Sequence, residues 1–229
     1  MNIMKNVKLV VFDMAGTTVD EDNVVYKTLQ KAINQYDESV TLDFVLDHGA
    51  GKEKHQAIKD IVIHLAEGQR WLNMSEVIFS EFVKMLDLAY GDLVVKPCAG
   101  VVDFIGELRK LGIKVALNTG YNSEVANLLL KKLSWEKGRE YDILVTADLA
   151  TQSRPHPDMI YLAMDGLGLK DSSDVVKIGD SIIDIEEGKN AGCGMTVGVT
   201  TGAQTRIQLL TANPTCVVDN VLELLDILK

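Results

Sequence analysis

Short, continuously apolar segments alternate along this chain with longer segments whose apolar residues recur every three or four positions. The first short segment, residues 9–12, runs directly into Asp13 and shows no alternation of polar and apolar residues. Such a run is typical of a strand that is buried on both faces of a parallel sheet. Further strands are predicted at residues 113–117, 143–146, 175–178, 195–199 and 216–218.

Segments with helical spacing separate these strands from residue 101 onward. They cover residues 101–111, 123–133, 157–167, 182–191, 203–210 and 221–228. Strands and helices that alternate with short connections indicate a parallel sheet with helices on both faces. The sequence therefore predicts an α/β fold whose core is a Rossmann-like, doubly wound parallel sheet.

Only helical periodicity is found between the first strand and about residue 91. Helices are predicted at residues 23–36, 41–46, 53–66 and 75–90, with glycines interrupting the pattern between the second and third. A stretch of this length can form a small core of its own. We expect a helical cap domain at residues 20–92, inserted after the first strand, and a core domain built from residues 1–19 and 93–229.

Net charge, cysteine content and the lengths of the apolar runs limit the kinds of partner and cellular location that are expected. The 229 residues carry a formal net charge of -10 and a pI of about 4.9, which argues against binding to nucleic acid or to an anionic membrane. Three cysteines in no paired spacing fit a reducing compartment and exclude a thiolate metal site. Residues 1–6 lack the apolar segment of a signal peptide, and no apolar run reaches the ~18 residues of a membrane span. A cytoplasmic enzyme or binding protein is expected.

Acidic residues follow two of the predicted strands. Asp13 follows the first strand directly, and Asp180 lies two residues after the strand at residues 175–178, with Asp184 four residues later. Open α/β sheets bind ligands at the carboxyl ends of their strands, where Gly16 permits a tight turn and a close approach. An isolated Asp before small residues is common in simple turns. The pair of strand-end acids instead predicts a site for a hard cation such as Mg²⁺.

Two more strand ends carry residues suited to an oxyanion. Thr119 and Gly120 offer a hydroxyl and a backbone N–H at a strand-to-helix turn, although Asn122 or Ser123 could simply cap the helix there. Arg154 precedes a proline, which favours an extended, stiff segment. An Arg held in this way can bridge an oxyanion and a carboxylate, whereas an exposed loop Arg is the simpler alternative.

These groups, in this order, resemble the four motifs of the haloacid dehalogenase superfamily, and the resemblance covers the whole chain. The motif residues are Asp13-x-Ala15-Gly16-Thr17, Thr119, Arg154 and Gly179-Asp180-x-x-x-Asp184. Most phosphatases of the superfamily have an acid two residues after the nucleophile and a Lys in the third motif. Ala15 and Arg154 stand at those positions here, as in the phosphonatase (phosphonoacetaldehyde hydrolase) branch.

The resemblance implies a role for each motif. Asp13 would attack phosphorus and form an aspartyl-phosphate. Mg²⁺ would be held by Asp13, the Ala15 carbonyl and Asp180, with Asp184 acting through water or from behind these direct ligands. Thr119, the Gly120 amide and Arg154 would neutralise the oxygens of the transferring phosphoryl group. The other residues that would contact the substrate are Ala15, Gly16, Thr17, Tyr121 and His55.

Phosphonatases also carry a cap lysine in the pattern Gly-x-x-Lys-x-x-His, which matches Gly49, Lys52 and His55. Ala15 removes the acid that would protonate an ester oxygen, whereas a Schiff base on Lys52 would act as the electron sink for C–P cleavage. The alternative is that Lys52 only binds a substrate anion. Lys54 is expected to be a plain surface lysine.

We therefore predict a Mg²⁺-dependent phosphonatase-like hydrolase that acts on a small phosphorylated or phosphonylated substrate. One alternative is a phosphomonoester phosphatase of the phosphoglycolate or sugar-phosphate type. Another is a catalytically silent protein that binds a ligand or partner. The amphipathic cap helices could pack on each other or pair between subunits, which leaves a homodimer open.

Overall fold

The computed structural model describes residues 7–36, 40–65 and 68–228. Its strands are β1 (Leu9–Asp13), β2 (Val19–Asp20), β3 (Lys96–Pro97), β4 (Lys114–Thr119), β5 (Ile143–Thr146), β6 (Val175–Gly179), β7 (Met195–Val199) and β8 (Cys216–Val218). Six of them form a sheet in the order β5-β4-β1-β6-β7-β8, with every pair parallel. The predicted α/β fold with a doubly wound parallel sheet is confirmed.

The helices before β3 are α1 (Val24–Ile33), α2 (Leu42–Gly49), α3 (Lys54–Val62), α4 (Gly68–Asn73) and α5 (Ser75–Asp92). Those after it are α6 (Val101–Lys110), α7 (Ser123–Leu133), α8 (Asp158–Gly166), α9 (Ile182–Asn190), α10 (Arg206–Thr211) and α11 (Leu225–Leu228). In the described ranges, no helix has the length and apolar character needed to cross a bilayer.

Strand β1 lies at the centre of the sheet and is buried on both faces. Val10 and Phe12 pack into one apolar cluster with α6 and α7, and Phe12 meets the edge of Phe104 at 6.0 Å between ring centroids. Leu9 and Val11 pack into a second cluster with α8. Burial on both faces explains why residues 9–12 are apolar without alternation.

The helices α1 to α5 lie between β2 and β3, where the sequence predicts the cap. α1 packs against α5, α2 against α3, and α3 against α5. β2 and β3 pair antiparallel at the base of this insertion, with Val19 opposite Pro97 and Asp20 opposite Lys96. This two-stranded ribbon, like the short helix α4, was not predicted from the sequence.

Several predicted boundaries were wrong by a few residues. α2 continues through His48 and Gly49, so the chain leaves the helix only at Ala50. α3 ends at Val62 instead of residue 66, and Ala66 itself lies outside the described residues, as do residues 1–6 and 229. α10 begins at Arg206 because Thr205 caps it, accepting the N–H of Gln208.

Candidate active site

The three acids predicted at strand ends meet at one edge of the sheet. β1 pairs with β6, which brings Asp13 beside Asp180, and the first turn of α9 adds Asp184. One carboxylate oxygen from each residue lies within 4.8 Å of the others. All three side chains are buried. The sequence therefore predicted this cluster correctly as a spatial arrangement.

Asp180 is held tightly by the surrounding loops. Its Oδ2 accepts the N–H of Ala203 at 2.6 Å, and its Oδ1 accepts the Thr17 hydroxyl at 3.5 Å. A Cβ on Gly16 or Gly202 would collide with the same carboxylate, and Gly16 also has a φ of +78°. Glycine at position 16 is therefore required both by the backbone conformation and by the space that Asp180 occupies.

The carboxylates shift each other's pKa. Burial, and then the charge of Asp184, raise the pKa of Asp13 to about 6, although Arg154 opposes the change. Burial and the charge of Asp13 raise the pKa of Asp180 well above its ordinary value. Burial also acts to raise the pKa of Asp184, but Lys177 and Arg154 outweigh it and hold that pKa below the ordinary value.

Arg154 bridges two of the acids. Its Nη1 donates to Asp13 Oδ1 at 2.8 Å and to Asp184 Oδ1, and its side chain is only 3% exposed. The buried Nε has no hydrogen-bond partner among the described residues. A buried donor without a partner is unfavourable unless a ligand supplies the acceptor. Arg154 is thus a buried fork rather than an exposed loop residue, with one N–H available to an oxyanion.

The buried ion network beneath the acids was not predicted from the sequence. Lys177 Nζ donates to Asn118 Oδ1 at 2.6 Å and pairs with Asp184 Oδ1 at 2.9 Å and Glu187 Oε2 at 3.2 Å. Asn118 in turn donates to both oxygens of Glu187, at 2.8 and 2.9 Å. The signal was a lysine in the middle of the otherwise apolar strand β6, where a charge is tolerated only if it is paired.

The charges of this region fit a divalent cation. When ionised, the four buried carboxylates of Asp13, Asp180, Asp184 and Glu187 face two buried cations, Arg154 and Lys177. The excess of two negative charges is what a divalent ion would balance. Oxygen ligands of this kind suit Mg²⁺ or a similarly hard ion.

Thr119 and Gly120 lie at the end of β4, beside Asp13 on the neighbouring strand. Thr119 is buried, and its Oγ1 accepts the N–H of Tyr121 at 3.2 Å. Asn122 caps α7 by accepting the N–H of Val125 at 3.0 Å. The turn therefore has its helix cap and also brings the predicted oxyanion donors to the acid cluster.

Residues 50–53, here called the cap loop, lie directly on the core. The Gly51 N–H donates to the Tyr26 hydroxyl at 3.0 Å. A Cβ on Gly51 would collide with Ser181 Oγ, and a Cβ on Gly120 would lie 3.2 Å from the Lys52 carbonyl oxygen. Gly51 also has a φ of +73°. The structure therefore shows the cap loop closed over the acid cluster.

Lys52 and His55 face other parts of the cap. The Lys52 ammonium forms an ion pair with Asp60, and its side chain is 27% exposed. His55 stacks on Phe79 at 5.0 Å and places its Nε2 3.4 Å from Ser75 Oγ, both on α5. Their predicted roles in catalysis and substrate binding remain predictions.

Lys54, expected at the surface, is buried, so that expectation was wrong. Its Nζ donates to the Lys52 carbonyl at 2.9 Å and lies 4.9 Å from the ring centroid of Tyr26 and 5.8 Å from that of Tyr121. Burial, and then the charge of Arg154, lower the pKa of Lys54 to about 8. A charge of the core site therefore acts directly on this buried cap amine.

Glu21 is a second buried cap group that the sequence did not reveal. Its carboxylate accepts the N–H of Val25 at 3.2 Å, and burial raises its pKa to about 8. Tyr90 and Tyr121 are buried as well and meet edge to face at 6.5 Å. Glu21 and Tyr90 of the cap, together with Tyr121 of the core, therefore extend the polar part of the site beyond the carboxylate cluster.

Comparisons with known proteins agree with this geometry. A family model described as haloacid dehalogenase-like hydrolase matches residues 7–192. The phosphonoacetaldehyde hydrolase of Bacillus cereus (strain AH187) is 30% identical over 209 residues, which are 86% of this chain and 77% of that protein. A bifunctional phosphonoacetaldehyde hydrolase/aminoethylphosphonate transaminase of Clostridioides difficile (strain 630) is 32% identical over 201 residues. That match covers 82% of this chain and 31% of the longer relative.

Solved structures show the same fold at lower identity. A phosphonoacetaldehyde hydrolase-like protein from Oleispira antarctica has a TM-score of 0.82 and 22% identity, covering 98% of this chain and 92% of that one. A Haemophilus somnus protein described as a predicted phosphoglycolate phosphatase has a TM-score of 0.78 and 20% identity, covering 99% and 100%. Proteins described as acting on different substrates therefore share this architecture.

Proposed function

Because the chain belongs to the haloacid dehalogenase-like hydrolases, we propose that it cleaves the C–P bond of a phosphonoaldehyde with the aid of Mg²⁺. The observation that carries the proposal is Lys54, a buried amine with a lowered pKa under the closed cap loop. An amine that is free near neutral pH can form an imine with a carbonyl substrate. The resemblance to phosphonoacetaldehyde hydrolases at about 30% identity supports the same substrate class.

Lys54 replaces Lys52 in this proposal because of the local backbone. Gly49, the glycine of the sequence pattern, is helical, whereas Gly51 makes the turn with positive φ. Starting from Gly51, the pattern Gly-x-x-Lys ends at Lys54 instead of Lys52. Ala57 then stands where the pattern has its histidine, and His55 is assigned to supporting Phe79 on α5.

The metal is assigned to Asp13, Asp180 and the Ala15 carbonyl, with Asp184 acting through water because its oxygens already face Arg154, Lys177 and Ser181. Mg²⁺ bound there would neutralise charge on the phosphonate oxygens. Arg154 Nε, the Thr119 hydroxyl and the Gly120 N–H are the protein's own donors to those oxygens. Gly16 and Thr17 keep Asp180 in place.

Imine formation prepares the leaving group. The free amine of Lys54 adds to the aldehyde carbon and water leaves, which gives an imine that takes up a proton. Asp13 then attacks phosphorus, and the electron pair of the breaking C–P bond moves into the protonated imine to form an enamine. The leaving carbon thus never carries a free negative charge, so no acid is needed at position 15.

Two additions of water complete the turnover. The enamine takes a proton on carbon, and water releases acetaldehyde and restores the Lys54 amine. A second water hydrolyses the aspartyl-phosphate, which releases phosphate and restores Asp13. The closed cap loop excludes bulk water during the first half of this sequence. The contacts of the cap loop with Ser181 and Gly120 support the assignment of residues 20–92 as the cap and of 1–19 and 93–229 as the core.

Reductive trapping tests the proposal. The protein is incubated with phosphonoacetaldehyde, Mg²⁺ and cyanoborohydride, and adducts are located by intact mass and peptide fragmentation. The wild type and Lys52→Arg should carry the adduct on Lys54, whereas Lys54→Arg should carry none, since a guanidinium forms no imine under these conditions. An adduct confined to Lys52 would refute the assignment to Lys54. No adduct, together with phosphate release from a phosphomonoester, would favour a phosphatase of the phosphoglycolate or sugar-phosphate type.

A further inference from the structure

A cavity of about 280 Å³ adjoins the reacting end of the site, between α5 of the cap and α7 of the core. Lys54, Gly120 and Tyr121 line its inner end. The cavity is therefore continuous with the place where the carbonyl and the phosphonate are bound in the proposed function.

The cap side of this cavity is apolar. Four apolar residues of α5 line it: Phe79, Phe82, Val83 and Leu86. Val125 of α7 lies on the opposite side. A two-carbon aldehyde would be held between Asp13 and Lys54 and would leave this wall in contact with water. An apolar wall beside a reaction centre increases the affinity for a ligand only when an apolar part of that ligand covers it.

The outer part of the cavity disfavours a substituent that carries a negative charge in addition to that of the phosphonate. Asp87 on α5, Glu124 on α7 and the exposed Asp148 line it with carboxylates, whereas Lys54 at the inner end is the cation among the lining residues. A substituent that carried its own carboxylate or phosphate would be repelled there. The occupant is therefore an uncharged apolar group.

We propose that the preferred substrate is larger than phosphonoacetaldehyde: a 2-oxoalkylphosphonate whose carbonyl carbon bears, in place of the aldehyde hydrogen, an apolar substituent such as a phenyl group that fills this cavity. The inference rests on the proposed function, because the substituent sits on the carbon that Lys54 would attack. The reaction balances as before: the ketone forms the imine with loss of water, and the C–P electron pair enters it. Hydrolysis then gives phosphate and a methyl ketone in place of acetaldehyde.

Binding of unreactive ligands tests the cavity independently of C–P cleavage. Ethylphosphonate and (2-phenylethyl)phosphonate lack the carbonyl, and their affinities for the Mg²⁺-loaded protein are compared by isothermal titration calorimetry. The phenyl compound should bind at least about tenfold tighter, the scale of discrimination by a small apolar pocket. Val83→Asp should remove this preference. Leu88→Asp is the matched control, because Leu88 is exposed on the same helix and does not line the cavity.

Equal affinity of the two ligands, or a preference that survives Val83→Asp, would overturn the inference. Turnover separates it from the proposed function: 2-oxo-2-phenylethylphosphonate should have a kcat/KM about tenfold or more above that of phosphonoacetaldehyde. A higher kcat/KM for phosphonoacetaldehyde would overturn the inference of a larger substrate, while the proposed C–P cleavage would still hold. Release of phosphate from neither compound overturns both.

Discussion

The free amine of Lys54 should be about 300 times more abundant at pH 7 than that of an ordinary lysine. Its pKa falls from 10.5 to about 8, chiefly through burial and then through the charge of Arg154. Each pH unit between the pKa and the working pH changes the free fraction about tenfold, so a shift of about 2.5 units gives that factor. Imine chemistry on Lys54 should therefore rise with pH and level off above about pH 8.

The titration can be followed directly by NMR. Protein labelled with ¹³C at the lysine ε carbons is titrated from pH 6 to 11, and the Lys54 resonance is assigned by its loss in Lys54→Arg. A midpoint near pH 8 is expected. Lys52→Arg is the matched control and should leave the Lys54 curve in place, since the Lys52 side chain pairs with Asp60 instead.

A Lys54 midpoint above about pH 10 would contradict the reasoning, because it would show that the amine is hydrated like a surface lysine. The trapping rate gives a second check. If it rises about tenfold per pH unit without levelling off up to pH 10, the reacting amine has an ordinary pKa and the geometric assignment fails.

Three further changes have clear expected results. Lys177→Met removes the buried cation that pairs with Asp184 and Glu187, so the free energy of unfolding, measured with urea, should fall by about 3–5 kcal/mol. A fall of less than about 1 kcal/mol would contradict this. Glu21 keeps its proton up to about pH 8 when folded but only to about 4.5 when unfolded, so its contribution to stability is lost as pH rises through that window. Glu21→Gln should therefore raise the free energy of unfolding by up to about 4 kcal/mol at pH 8 and change it little at pH 4.5. The difference in Tm between variant and wild type, followed against pH, checks this. Asp13→Asn should abolish phosphate release while mass spectrometry still finds the imine adduct on Lys54; normal release would exclude Asp13 as the nucleophile.

The sheet and the acid cluster were predictable because their signals are local. Residues 9–12 are a short apolar run followed by Asp13, and residues 175–178, apolar except for Lys177, are followed by Gly179 and Asp180. Parallel strands place such ends at one edge of the sheet. Arg154 was identified by its neighbouring proline and its order among the motifs. The antiparallel ribbon of β2 and β3 gave no such signal, because each strand has only two residues.

Which of Lys52 and Lys54 is buried could not be predicted from the sequence, because both lie in one short polar run. The difference arises where α3 begins. Glu53 caps the helix by accepting the N–H groups of His55 and Gln56 at 2.9 Å, which places Lys54 on the first turn facing Tyr26 and Tyr121. Which of two adjacent lysines is buried depends on the packing of the cap on the core, and periodicity does not contain that information.

Burial of Lys54 also couples the chemistry to cap closure. The amine is desolvated by the contacts that close the cap loop, so an open loop would let water return and raise its pKa toward 10.5. By thermodynamic linkage, protonation of Lys54 must then oppose closure, by about 3–3.5 kcal/mol when the pKa differs by about 2.5 units. In the proposed mechanism, the positive charge of the protonated imine is removed when the C–P electron pair enters it, so the neutral enamine does not oppose closure as a hydrated ammonium does. In this mechanism, the closed state would therefore be favoured by the C–P cleavage step that begins with attack by Asp13.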